Sequence, residues 1–148
     1  MPETETRQWL SAAAADVLET MFFSQVMGEV PVSGTAGEAA LASRLQFSGA
    51  RSGVFTVRVT EAAARVIAAN FLAEEANEPD ATQVQEVICE LANMMCGAVL
   101  SRLDRGAHFD LTPPALVDPL ATMPEANSRA FDIGDGEVAV FLHVDEQP

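Results

Sequence analysis

The residues best placed to do chemistry are a carboxylate and a carboxamide three positions apart, Glu90 and Asn93. An α-helix advances by about 100° per residue, so a helix through this stretch gathers Glu86, Glu90, Asn93 and Gly97 on one face. The apolar residues form a separate stripe on the other side: Val84, Val87, Ile88, Leu91, Met95 and Ala98. The polar pair therefore lies on a face that hydrophobic burial does not need.

The glycine on this face is the second signal. A glycine inside a helix costs about 1 kcal/mol relative to alanine, and Gly97 falls on the face that presents the polar pair. We infer that something approaches the helix backbone closely there. From spacing alone, an exposed glutamate and asparagine also describe an ordinary solvated surface, because so short a polar motif recurs by chance.

The chain lacks the residues that most other kinds of catalysis need. The chain has no lysine, which excludes a P-loop and Schiff-base catalysis, and no tyrosine, which removes another possible acid or base. Its two histidines, His108 and His143, are far apart in sequence and belong to no zinc or Ser-His motif. Cys89 and Cys96 lie seven positions apart on the predicted helix, about 10 Å, which is too far for a disulfide. We interpret them as reduced packing residues.

Length and charge limit the class of protein. A chain of 148 residues fits a single domain, 1–148, with a true core. Its formal charge of −14 would repel DNA or RNA, so no nucleic-acid partner is expected. No apolar run approaches the roughly 18 to 20 residues that cross a bilayer, and the acidic N-terminus does not look like a signal peptide. We expect a cytoplasmic protein with no membrane partner.

The first half of the chain is predicted to form a helix, a β-hairpin and a second helix. Apolar residues at helical spacing predict a first helix over residues 6–27, ended by Gly28 and Pro31. Residues 32–37 are predicted to form a loop or a short edge strand. Alternating apolar residues predict strands within 41–59, with a turn at 49–53. Thr60 is the expected N-cap of a second helix that ends near Leu72.

The second half of the chain is predicted to form a long helix followed by strands. The helix over 83–103 is predicted to start with Asp80 or Thr82 as its cap. Two strands, 128–133 and 137–144, follow with a hairpin turn at 134–136. The second strand is apolar on both faces at 138–142, which is typical of a central strand. The fold class is α+β: an antiparallel-rich β-sheet packed against the long helix and two further helices.

A weak internal repeat accompanies this order. Residues 17–22 match residues 88–93 in pattern, with Glu19 at the position of Glu90 and Phe22 at that of Asn93. We therefore consider a degenerate duplication whose second copy begins at about residue 80 and alone keeps the polar pair. A chance likeness between two amphipathic helices is the alternative.

The stretch from Glu90 to Gly97 resembles the E-x-x-N signature of the CheX-like chemotaxis phosphatases, relatives of CheC and FliY. The order of hairpin, helix, motif helix and closing strands is similar as well, so the resemblance spans most of the chain. It implies a phosphatase that removes the aspartyl phosphate from a CheY-like response-regulator receiver domain in chemotaxis or two-component signalling.

The resemblance also implies roles for individual residues. Asn93 would hold a water in line with phosphorus and Glu90 would pair with the receiver's lysine, while Glu86 and Gly97 would contact the partner. No cofactor of the chain's own is implied, and Mg²⁺ is expected on the partner receiver. Because CheX-like proteins are dimers, a homodimer is implied too.

Two departures and two alternatives accompany the resemblance. The family commonly has Asp or Ser where this chain has Glu86, and a proline about twenty residues after the asparagine, near Pro113 and Pro114 but without a clear register. The alternatives are a non-catalytic adaptor of the same fold that binds a receiver or scaffold protein, and a small-ligand binder with a cleft between sheet and helices.

Overall fold

A computed structural model describes residues 3–32, 39–73, 78–121 and 127–145, with side chains described from residue 7 onward. The helices in this part of the chain are α1 (Glu3–Thr20), α2 (Glu61–Leu72) and α3 (Ala81–Leu103). The strands, in chain order, are β1 (Gly28–Val30), β2 (Ala39–Gly49), β3 (Gly53–Thr60), β4 (Phe109–Leu111), β5 (Ala115–Val117), β6 (Ser128–Asp132) and β7 (Glu137–Val144). The predicted α+β class is confirmed.

The strands form one seven-stranded sheet in the order β1-β6-β7-β3-β2-β4, with β5 also paired to β2. Every described pair is antiparallel. β7 lies in the interior of the sheet, and its residues Val138–Leu142 are buried on both faces, as predicted. The three helices cover one face of the sheet and enclose the main core with it.

The opposite face of the sheet carries a smaller apolar cluster of Ala42, Ala130, Ala139 and Phe141. The guanidinium of Arg58 lies 4.9 Å from the centre of the Phe141 ring, a cation–π contact on the same face. The sheet therefore buries apolar side chains on both faces, although the large core lies only on the helical side.

Helix α1 is shorter than the sequence predicts, and this is a correction. It ends at Thr20 instead of Met27, because Phe23 takes a left-handed backbone conformation (φ 53°) and the Ser24 N–H donates to the Leu18 carbonyl. Gly28, expected to end the helix, instead begins strand β1, which pairs with β6. Met21 is one of the apolar residues at helical spacing that predicted a buried stripe on this helix, but it is 45% exposed.

The other helix boundaries follow their local signals. Thr60 caps α2 by accepting a hydrogen bond from the Ala63 N–H, and α2 ends at Leu72 as predicted. Asp80 caps α3 through a capping box, in which Asp80 accepts from the Gln83 N–H and Gln83 accepts from the Asp80 N–H. The hairpins at 49–53 and 134–136 are present, whereas residues 33–38 and 74–77 lie outside the described residues.

By length and mean hydropathy alone, α3 could span a bilayer, although it contains no uninterrupted apolar run of that length. Half of the apolar stretch is buried inside the protein, and α3 packs against the sheet and both other helices. The same properties characterise the central helix of a globular core.

The two halves of the chain present the same order of elements, a helix followed by strands. In the sheet, the short strands of each half pair with the hairpin of the other half: β1 pairs with β6, while β4 and β5 pair with β2. This arrangement is what a duplicated unit would produce. The internal repeat, like the single-domain assignment, stays a prediction.

Candidate active site on helix α3

Helix α3 is anchored along its whole length, so the side chains on its outer face have fixed positions. Ten of its residues are buried, and they form an inward stripe: Val84, Val87, Ile88, Leu91, Ala92, Met95, Cys96, Val99, Leu100 and Leu103. All the apolar positions predicted for this stripe are buried except Ala98, which is half-buried. The outer face of α3 is therefore held by the core beneath it.

The predicted catalytic pair lies on this outer face. Glu90 is exposed and Asn93 is half-buried, in the middle of the helix. Within the described residues, neither side chain makes a hydrogen bond or an ion pair. Both groups are therefore available to a ligand or partner, whereas a purely structural role would require contacts with the rest of the chain.

The two predicted partner-binding residues share the same face. Glu86 is exposed one turn before Glu90, and Gly97 is exposed one turn after Asn93. A Cβ added at Gly97 would meet nothing within 4 Å, so no neighbour within the chain requires a glycine there. The two carboxylates have no described basic partner, and together they make this face acidic.

One contact beside the motif has no signal in the sequence. The hydroxyl of Ser43, on strand β2, lies 3.4 Å from the sulfur of Cys89, the residue before Glu90. Ser43 is fully buried, and this contact ties the motif turn of α3 to the sheet. Long-range pairs of this kind depend on tertiary packing and leave no periodic pattern.

Both cysteines are free, as predicted. Burial raises the pKa of the Cys96 thiol to about 12, so this thiol is neutral at physiological pH. It belongs to the packed face of α3 and supplies no nucleophile.

Arg102, which the helical wheel places on the inward side, reaches the surface. Its guanidinium lies 3.9 Å from the carboxylate of Asp16 on α1, and the side chain is 35% exposed. The aliphatic part of arginine can follow an apolar surface while its charge stays in water. Arg102 therefore extends from the inward side of α3 to the surface.

In the part of the chain that the structure describes, neither the histidines nor a cluster of metal ligands forms a second site. His108 and His143 are exposed, 3.0 Å from Asp110 and 3.4 Å from Asp145 respectively. Among the described residues, no group of three or more His, Cys, Asp and Glu side chains could hold a metal ion.

A cleft of about 360 Å³ lies at the N-terminal end of α3, where Leu41, Ala64 and Val84 line it together with Glu61 and Arg65. It is open to solvent, and neither Glu90 nor Asn93 lines it. The small-ligand hypothesis would place binding there, away from the polar pair.

Comparison with known proteins identifies the family. Residues 41–128 match the family model "Chemotaxis phosphatase CheX", a stretch that includes all of α3. No curated protein sequence matches the chain at a significant level.

The chain is also similar to solved structures of this family. The chemotaxis protein CheX from Vibrio vulnificus has a TM-score of 0.75 and 20% identity, and the match covers 98% of this chain and 99% of that chain. A CheC-like superfamily protein from Shewanella sp. PV-4 has a TM-score of 0.70 and 18% identity, covering 99% and 100%. The CheX–CheY–BeF3–Mg²⁺ complex from Borrelia burgdorferi has a TM-score of 0.66 and 18% identity, covering 94% and 97%.

The family match covers more than half of the chain and includes the helix that carries the polar pair, and the solved structures share the fold over nearly its whole length. The chain therefore belongs to the CheX chemotaxis phosphatase family.

Proposed function

We propose that this protein hydrolyses the aspartyl phosphate of a CheY-like response-regulator receiver domain, with Asn93 and Glu90 as the catalytic residues. The observation that carries this proposal is the pair itself: a carboxylate and a carboxamide one turn apart on a rigid helix, with no partner among the described residues. Such a face can enter the phosphorylated pocket of another protein.

The chemistry suits these residue types. Hydrolysis forms a bond between phosphorus and a water oxygen while the bond to the receiver's aspartate breaks, and inorganic phosphate leaves. Phosphoryl transfer requires mostly positioning and charge stabilisation, so the Asn93 amide can orient the water without changing its own protonation. Glu90 would pair with the receiver's lysine and fix the two proteins in register.

Mg²⁺ is expected on the receiver, whose acidic pocket would hold it. The solved complex of a relative with CheY, BeF3 and Mg²⁺ supports this assignment, as it supports a CheY-like partner. Glu86 and Gly97 extend the contact surface along α3, one turn to either side of the pair. Gly97 would allow a loop of the receiver to approach the helix backbone.

The test follows loss of phosphate from phosphorylated receivers of the same organism. Asn93→Ala is expected to lower the dephosphorylation rate on the order of 100-fold, because the water is no longer held in line. Its melting temperature should change little, since substitutions of side chains without partners usually alter stability by less than about 0.5 kcal/mol. Glu90→Ala should weaken both receiver binding and rate.

The matched control is Ser101→Ala, an exposed position on the same face of α3, two turns beyond Asn93. Its rate should equal that of the wild type. Equal rates for the wild type, Asn93→Ala and a sample without the protein, with receiver binding intact, would contradict the proposal. That outcome would favour the non-catalytic adaptor.

The remaining expectations about partners go with this function. A receiver phosphatase would act in the cytoplasm, and the charge of −14 disfavours nucleic acid. The homodimer implied by the resemblance stays a prediction, which sedimentation of the purified protein would test.

A further inference from the structure

The segment that joins α1 to β1, Met21–Met27, exposes three large apolar side chains. Met21 is 45% exposed, Phe23 is 66% exposed and Met27 is 65% exposed. Only two other large apolar side chains of the described residues are similarly exposed, Leu116 and Leu120 near β5. Three such residues within seven positions form an unusual concentration, because isolated apolar residues are the norm at protein surfaces.

Phe23 adopts a backbone conformation that does not suit it. Its φ of 53° lies in the left-handed region, which bulky residues rarely adopt. At the C-terminal end of a helix this position is usually glycine, which adopts it without strain. The structure therefore keeps an exposed phenylalanine where folding alone would favour glycine. Strain of this kind points to a function of the side chain.

The backbone around Phe23 is held firmly by the end of α2. The Asn70 amide donates to the Phe23 carbonyl and to the Ser24 hydroxyl, both at 3.2 Å. The Ser24 hydroxyl in turn donates to the Phe22 carbonyl at 3.1 Å, and Ser24 is buried. These bonds fix the segment so that the Phe23 ring is presented outward.

Two further contacts anchor the same segment. The buried Phe22 ring stacks on Phe71 of α2, with ring centroids 4.7 Å apart. The Val26 N–H donates to the Glu19 carboxylate at 3.1 Å. The exposed apolar side chains therefore project from a well-anchored support.

The segment lies beside the negatively polarised ends of two helices. Helices α1 and α2 both end beside it, and neither has a basic residue in its last turn. The carboxyl end of a helix carries a partial negative charge, which basic side chains normally offset. Glu19 adds a full charge, and the whole chain carries −14. This apolar surface should therefore attract a cationic partner.

We propose that Met21–Met27 is a docking surface for a basic amphipathic helix of a partner protein. An apolar side chain of that helix would pack against Phe23 and the two methionines, whose flexible thioethers adapt to different shapes. Its lysines and arginines would lie over the carboxyl ends of α1 and α2. An anionic membrane is disfavoured, because this protein and such a surface carry the same sign of charge.

The experiment uses the full chain with labelled methionine methyl groups and a synthetic peptide of about 18 residues in which leucine and lysine alternate with helical period. Of the six methionines, the signals of Met21 and Met27 should shift on titration, while those of Met94 and Met95 on α3 should not. A peptide with glutamate in place of lysine should produce no shift.

Phe23→Gly is the decisive variant. It removes the ring and suits the left-handed backbone, so its melting temperature should equal or exceed that of the wild type, while the Kd for the lysine peptide should rise by about tenfold or more. Leu120→Gln, another exposed apolar residue that lies beyond β5, is the matched control and should leave the Kd unchanged. Both variants should dephosphorylate receivers like the wild type.

Four outcomes would overturn the proposal. The first is binding to the lysine peptide that Phe23→Gly leaves intact, or that Leu120→Gln weakens as much. The second is equal binding of the glutamate peptide. The third is methyl shifts on dilution without peptide, which would mark a surface between two copies of this chain. The fourth is shifts with phosphatidylcholine–phosphatidylglycerol vesicles and none with the peptide, which would mark a membrane surface.

Discussion

The end of α1 and the middle of α3 carry a similar pattern of residues and use it differently. In α3, Glu90 is exposed and Asn93 is half-buried, with no described partner for either. At the matching positions near the end of α1, Glu19 binds the Val26 N–H, and Phe22 is buried against Phe71. The stretch in α3 leaves its two polar side chains without a described partner. The stretch at the end of α1 uses the Glu19 carboxylate and the Phe22 ring in contacts within the fold.

The difference comes from where each helix ends. α3 continues for ten residues beyond Asn93, to Leu103, and buried side chains in that continuation hold the motif in helical geometry. α1 ends at Thr20, so the chain turns and Phe22 points into the core instead of along the helix face. A spacing of three residues places two side chains on the same helix face only where the helix includes both positions.

The largest expected effect on stability comes from placing an asparagine amide at Phe22, the position just beyond the end of α1 that matches Asn93. Phe22→Asn removes a fully buried ring and leaves an amide among apolar groups, which should destabilise the protein by about 4 kcal/mol. Thermal unfolding followed by circular dichroism should show a Tm about 10 °C lower. The receiver dephosphorylation rate at a temperature where the variant is folded should not rise, and an increase would mean that the first stretch can serve as a second site.

A second comparison tests which face each helix buries. Leu91 of α3 is fully buried, whereas Thr20, the matching residue of α1, is exposed. Leu91→Ala should cost about 3 kcal/mol through the cavity that it leaves. Thr20→Ala should change the free energy of unfolding by less than about 0.5 kcal/mol. Chemical denaturation measures both, and equal effects would show that the assigned faces are wrong.

The two glutamates allow a carboxylate that holds the fold, Glu19, to be compared with one proposed to act on a receiver, Glu90. Glu19→Ala should destabilise the fold by about 1 kcal/mol, because the Val26 N–H loses its acceptor. Glu90→Ala should leave stability within about 0.5 kcal/mol of the wild type while lowering the dephosphorylation rate. The same denaturation and phosphate-release assays apply to both variants, and a reversed pattern would exchange the two roles.

The smallest expected effect is a gain of stability. Gly97→Ala should stabilise the protein by up to about 1 kcal/mol, because alanine is the better helix former and its Cβ meets no other atom. If a receiver loop approaches the backbone there, the same variant should raise the Kd for the receiver. Unchanged receiver binding, measured by titration calorimetry, would remove Gly97 from the docking surface.

Local signals in the sequence were sufficient for much of the fold. The hairpin turns and the cap Thr60 were predicted correctly, and Asp80 is one of the two residues proposed to cap α3, because turn and capping residues act on the neighbouring backbone. The inward stripe of α3 was also correct, since a long helix averages its periodicity over several turns. On the site, the exposure of Glu90 and Gly97 followed from that same period.

Other features of the fold could not be predicted from local signals in the sequence. The apolar period of α1 continues past Thr20, so nothing local indicated that Phe22 would stack on Phe71 or that Asn70 would hold a left-handed Phe23. Strand β1 has three residues, too few for an alternating pattern, and it exists because it pairs with β6. The position of the Arg102 guanidinium at the surface likewise depends on its contact with Asp16 of α1.

The sequence by itself determined the fold class, the motif helix and the face that carries Glu90 and Asn93, because these depend on short-range periodicity and capping. Only the tertiary structure decided that α1 ends at Thr20, and that Phe22 is buried while Phe23 is presented at the surface. Both depend on contacts between residues about 50 positions apart, such as Phe22 with Phe71. Such contacts form only when the whole core packs.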